Sequence, residues 1–143
     1  MSDKLLFLDF DGVLHPSLCG KEEYFLRAPL LSEVLGDCDC GIVISSSWRH
    51  HHSVSQLKRF LPPAIADRVV AVTADAVIGR HSRYCEILAY LAGNIAAADW
   101  RALDDSRFVY PESCPNLILC DAGRGFQEEQ ARHLRAWLEN LLF

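Results

Sequence analysis

The carboxylates suggest chemistry before anything else in the chain does. The stretch LLFLDFDGVLHP places Asp9 and Asp11 two residues apart at the end of an apolar run. Each carboxylate costs free energy to desolvate, and in extended backbone residues two apart point to the same side. If extended geometry holds to Asp11, both charges aim at one point. They repel there unless a cation sits between them or one carries a proton. Further along, GIVISSSWR ends an apolar run in Ser45-Ser46-Ser47 and then Trp48-Arg49. WRALDD ends in Asp104-Asp105, and NLILCD ends in Asp121. Hydroxyls, a guanidinium and paired carboxylates suit a hard divalent cation and an oxygen-rich anion.

Such residues can act together only if the elements carrying them bring them to one place. The runs KLLFLDF (4–10), GIVISS (41–46), RVVAVT (68–73), WRALDD (100–105) and NLILCD (116–121) read as five buried strands. Between them, APLLSEVLG (28–36), SVSQLKRFL (53–61) and SRYCEILAYLAG (82–93) have helical spacing. Pro62-Pro63 ends the second of these and Gly93 caps the third. QEEQARHLRAWLENLLF (127–143) reads as a closing helix with acids in its first turn, where the dipole favours them. Continuous apolar strands alternating with helices predict an α/β fold: a doubly wound, Rossmann-like, five-stranded parallel sheet with helices on both faces. One domain is expected over residues 1–143. In such sheets the ligand binds beyond the carboxyl ends of the strands. That rule gathers Asp9, Asp11, the serine run, Asp104, Asp105 and Asp121 along one edge.

Composition narrows the function classes. The chain of 143 residues is 50% apolar and 23% charged, with a net charge of −5. This balance argues against a broad non-specific nucleic-acid surface. It leaves room for a local basic patch built from Arg49, His50, His51, His52, Lys58 and Arg59. No apolar run approaches the roughly 20 residues of a membrane span. The start MSDK is unlike a secretory signal. Cys38 and Cys40 are too close for a CxxC motif and no zinc spacing exists, so reduced thiols and a cytoplasmic setting are expected.

The motifs FLDFDGVLHP, VISSSWR, an arginine before EILAYL, and ALDDS resemble, in order and spacing, the four motifs of the haloacid-dehalogenase-like (HAD) superfamily of phosphohydrolases. Within it the chain looks most like small, nearly capless members and the phosphatase domains of polynucleotide end-processing enzymes. The resemblance implies Mg²⁺ as cofactor and a phosphorylated substrate. It makes Asp9 a nucleophile that forms an aspartyl-phosphate, and Asp11 the acid that protonates the leaving oxygen and then activates water. Asp104 would complete a metal site with Asp9 and the backbone carbonyl of Asp11, with Asp105 as a further ligand or as an acceptor behind the ligands; either acid of the pair fits the first role. Ser45 or Ser46 would bind the phosphoryl oxygens. Arg83 would stand where the superfamily usually has lysine, with Arg80 nearby as a rival. Residues 15–28 offer only a flap and residues 50–82 little beyond a helix and a strand, so the cap is minimal or absent. An open site suits bulky substrates: a nucleotide, a nucleic-acid end or a phosphoprotein. The expected function is phosphomonoester hydrolysis. The alternatives are a phosphotransferase using the same intermediate and a catalytically idle module that keeps the fold for binding or regulation.

Other residues are weighed on their own chemistry. Adjacent histidines cannot all converge on one ion, so Arg49-His50-His51-His52 reads as a solvated loop, with contact to substrate phosphate as the lesser reading. His15 could line the mouth of the site. Trp48 belongs either to the core or to the pocket's lip. Gly12 permits a tight turn after the DxD pair, and GRGF (123–126) reads as a loop.

Overall fold

A computed structural model describes residues 4–74, 78–93 and 99–141. Five strands form one sheet: β1 (Lys4–Leu8), β2 (Gly41–Ile44), β3 (Val69–Val72), β4 (Asp99–Asp104) and β5 (Leu117–Leu119). The order is β3-β2-β1-β4-β5, and every pairing is parallel. The fold is the predicted doubly wound α/β, HAD-like arrangement. β1 is the central strand, with Leu8 in register with Ile44 on one side and Leu103 on the other.

Alternation along the strands divides the core between two faces. On one face Leu6, Leu8, Ile42, Ile44 and Leu103 pack against α1 (Ala28–Leu35), α2 (Val54–Arg59), α3 (Pro63–Ala66) and α5 (Glu128–Leu138) through Leu31, Leu57, Ile65 and Leu134. On the other face Phe7, Val43, Trp100 and Ala102 pack against Ile87 of α4 (Ser82–Gly93) and against Tyr110. Phe7 meets Tyr90 and Trp100 edge-on at centroid distances of 5.8 and 5.7 Å, a favoured aromatic geometry. A fully buried phenylalanine thus fixes the strand that leads into Asp9.

The boundaries differ from expectation where local chemistry intervenes. β2 stops at Ile44, and the Ser47–His50 segment turns into a 3-10 helix capped by Ser46, whose Oγ accepts from Trp48 N. α2 begins after Ser53, which forms a capping box with Gln56. Pro63 does more than end α2. Its fixed φ opens α3, a short helix absent from the expected set. α5 ends at Leu138, with Asn140 at φ 57° beyond it, so the expected run to residue 143 is too long. Residues 142–143 of that run lie outside the described residues. All six cysteines are free thiols. Among the described residues, no helix is long and apolar enough to cross a membrane.

Candidate active site

Three carboxylates meet where the central strands end. Asp9, Asp104 and Asp105 each offer one oxygen, all within 4.8 Å of one another. The parallel ladder carries Asp9 and Asp104 there: Asp9 N donates to Leu103 O at 3.1 Å, and on the other side Ser45 N donates to Leu8 O at 3.0 Å. Asp9 and Asp104 are buried and Asp105 half-buried. Asp9 Oδ1 accepts from Phe10 N at 2.9 Å. Asp104 is held on both oxygens, Oδ1 by Ser106 N and Oδ2 by the Tyr110 hydroxyl, each at 3.1 Å.

This crowding has an electrostatic signature. Burial, then the Asp104 charge, push Asp9 well above the ordinary carboxylate range, and the Arg83 guanidinium offsets this only in part. Burial and Asp104 push Asp105 up to about 6. Three hard oxygen donors that resist sharing negative charge fit a hard divalent cation. Gly12 makes the arrangement possible. It sits at φ +76°, and a Cβ there would lie 2.2 Å from Asp105 Oδ2. A side chain at position 12 would therefore occupy the space of the Asp105 carboxylate.

Two buried donors have no hydrogen-bond acceptor: Ser45 Oγ, just beyond the end of β2, and Arg83 Nη1, beside Asp9. Arg83 Nη1 lies 4.0 Å from Asp9 Oδ1, and its Nε lies 4.0 Å from Glu86 Oε1. The adjacent serine is committed elsewhere, since Ser46 Oγ receives Trp48 N at 3.2 Å. Arg80 is exposed and lines a separate cavity. Asp121 stands apart from the carboxylate cluster: it is exposed and closes a turn by accepting from Gly123 N at 2.9 Å.

Asp11 is half-buried and is clamped rather than free. Trp48 Nε1 reaches both of its oxygens at 3.2 Å, and His15 Nε2 lies 2.8 Å from Oδ1. The tautomer follows from the other ring nitrogen, because Phe25 N donates to His15 Nδ1 at 3.2 Å. An acceptor at Nδ1 leaves the proton on Nε2, which donates to Asp11. Phe25 holds φ 62°, a region that bulky residues rarely adopt. His15 is 1% exposed, with Tyr24 stacked on it at 4.9 Å. His15 and Trp48 are therefore part of the site's wall.

Arg49 is fully engaged in joining the site's parts, against the reading of it as a solvated loop residue or phosphate contact. Nη1 donates to Ser45 O and Ser46 O at 3.0 and 2.8 Å, and Nη2 donates to Glu86 Oε1 at 2.6 Å. Nε and Nη2 both donate to Ala74 O. Glu86 is buried on α4 and pairs with both arginines, so the end of β2 is tied to the helix that carries Arg83. His52 stacks on Trp48 at 5.6 Å, while His50 and His51 are exposed. Glu86 and Tyr110 escaped the sequence reading. Glu86 had a signal, the i,i+3 spacing from Arg83 on one helix face. Tyr110 had none.

A parallel sheet with β1 at its centre, an aspartate pair beyond that strand, a serine beyond β2 and paired acids at the end of β4 defines a HAD-like domain. Within that class the chain belongs to the family described as HAD domain in Swiss Army Knife RNA repair proteins, whose pattern it matches over residues 5–131. No curated protein and no solved structure matches the chain.

Proposed function

We propose that the protein is a Mg²⁺-dependent phosphatase that removes the terminal phosphate of an RNA end through a covalent intermediate on Asp9. One observation carries the reading. Two buried donors without acceptors, Ser45 Oγ and Arg83 Nη1, share a site with three clustered carboxylates. Buried donors are normally satisfied, and a phosphoryl group supplies the missing acceptors. The family's RNA-repair description supports the substrate.

Asp9, Asp104 and Asp105 would hold the ion, with the backbone carbonyl of Asp11. Bound there, Mg²⁺ neutralises charge that otherwise keeps a carboxylate from approaching a phosphate. The chain's own residues do the rest. Ser45 and Arg83 orient the phosphoryl group and stabilise charge spreading over its oxygens. Asp9 attacks phosphorus while Asp11 protonates the departing ribose oxygen. Asp11 then takes a proton from water, which releases phosphate from Asp9. Two displacements replace one difficult hydrolysis. Ser45 has the phosphate role rather than Ser46, whose hydroxyl caps the following turn. Arg83 has it rather than Arg80.

Beryllium fluoride, a mimic of a phosphoryl group on a carboxylate, tests the mechanism. It is expected to inhibit turnover only with Mg²⁺ present. A crystal structure should show it on Asp9 with fluorines toward Ser45 and Arg83. An adduct elsewhere, or none with Mg²⁺ bound, would favour an idle module.

The clamp on Asp11 gives a separate expectation. His15→Ala should slow hydrolysis of alkyl phosphates by about tenfold, less than the roughly hundredfold or more expected from losing the general acid itself. Dinitrophenyl phosphate, whose leaving group needs no proton, should lose far less in its phosphorylation step. Single-turnover rates with the two substrates check this, and equal losses would reduce His15 to a packing role.

A further inference from the structure

Beside the carboxylates lies a cavity of about 660 Å³ that the mechanism above leaves unused. Arg80, His81, Arg107, Phe108, Tyr110 and Glu112 line it, and its size is that of a small-ligand pocket. Tyr110 connects it to the site, because this buried residue borders the cavity while its hydroxyl donates to Asp104 Oδ2. His81, another lining residue, lies two positions before Arg83 at the start of α4.

The lining is chemically selective. Phe108 is 79% exposed, where a large aromatic side chain gains nothing from burial. The Arg107 guanidinium sits 5.3 Å from its ring centroid. Among the described residues, neither Arg80 nor Arg107 forms an ion pair. Two guanidiniums against one carboxylate, Glu112, leave the cavity cationic in a chain of net charge −5. His81 and Ser113 hold φ 55°, so two non-glycine residues in the left-handed region border it. A stacking surface beside cations that have no ion-pair partner matches how single-stranded nucleic acid is held, with bases on aromatic faces and backbone phosphates on basic groups.

We propose that this cavity is a nucleotide subsite for an unpaired polynucleotide end. Resting on the phosphatase reading, it places one base of the 3′-terminal segment on Phe108 and an adjacent phosphodiester on Arg107 and Arg80, while the terminal phosphate reaches Asp9. Specificity for a polynucleotide end over a small phosphate ester then comes from the β4–β5 connection rather than from a cap. A base paired within a blunt duplex cannot leave its stack to lie on Phe108 without being unpaired, so single strands are the preferred form.

The test compares two substrates, p-nitrophenyl phosphate and a single-stranded hexauridylate with a 3′-phosphate, and two variants, Phe108→Ala and Arg107→Gln. Each variant should raise KM for the oligonucleotide about tenfold, within the range for losing one stacked base or one phosphate contact. Turnover of p-nitrophenyl phosphate should stay within twofold of wild type. Arg107→Gln should also reduce the dependence of oligonucleotide binding on salt. Unchanged oligonucleotide KM in both variants would overturn the subsite, as would equal losses on both substrates. Anisotropy of the same oligonucleotide carrying a 5′-fluorescein reads binding without turnover. If wild type hydrolyses neither substrate, the phosphatase reading falls, whereas the subsite stands if the variants still weaken that binding and falls if they do not.

Discussion

Asp9→Asn is expected to abolish phosphatase turnover, by about 10⁴-fold or more, the order expected when a covalent nucleophile is lost. The amide keeps the shape of the carboxylate but cannot form the acyl-phosphate. The fold should not suffer. Burial and the Asp104 charge raise the affinity of Asp9 for a proton in the folded state, so the unfolded chain ionises more readily there. By linkage, such a group destabilises the folded state progressively as pH rises through the ordinary carboxylate range and beyond. Removing the charge relieves that repulsion. In chelator at neutral pH the variant is therefore expected to melt no lower than wild type. Steady-state assays with thermal melts check both parts. Turnover within tenfold of wild type would remove Asp9 from the nucleophile's role.

Stripping the metal is expected to have an effect of similar size. Activity should vanish with chelator and return with Mg²⁺, whereas Ca²⁺ supports it poorly because its longer, more numerous bonds misplace the nucleophile. Metal uptake should also be linked to protons. Asp105, pushed up to about 6, holds a proton below that value, so protons compete with the cation there. Apparent Mg²⁺ affinity should climb as pH rises through about 6, and because Asp9 is raised as well the climb should not end there, as calorimetric titrations at several pH values would register. Asp104→Ala is expected to weaken Mg²⁺ dependence more than Asp105→Ala. Asp104 is the more buried and is fixed by Ser106 N and the Tyr110 hydroxyl, so its loss also leaves those donors without their acceptor. The reverse order in Mg²⁺ titrations would exchange the roles of the two acids.

The strands and the meeting of Asp9 with Asp104 could be read from the chain because a parallel sheet imposes them. Apolar runs name the strands, and polar residues at their carboxyl ends fall on one edge whatever the strand order. Side chains whose position depends on loops were harder to read. Asp121 ends a strand-like run, yet β5 stops at Leu119 and Asp121 closes a turn instead. Arg49 looked solvated because its neighbours in sequence are histidines. Two of its partners, Ala74 O and Glu86, lie far along the chain and meet it only after β3 and α4 have packed. The protonation pattern of His15 was equally hidden, since it depends on a backbone N–H ten residues away held at positive φ.

The central place of β1 has a consequence for how the molecule comes into being. β1 and β2 belong to the first third of the chain and can pair early, but the other side of β1 waits for β4 at Asp99–Asp104. Until then a strand that is apolar from Leu5 to Leu8 presents a bare edge, and nascent chains of that length carry an aggregation hazard. Asp9 and Ser45 are then already neighbours across the ladder, while Asp104 and Asp105 are missing. The cluster of carboxylates closes only when a loop of most of the protein's length has closed, a slow step for a topology of distant contacts. A divalent ion bridging Asp9 and Asp104 would fasten the two strands together after the fact. It should act mainly on the unfolding rate, leaving the folding rate nearly untouched.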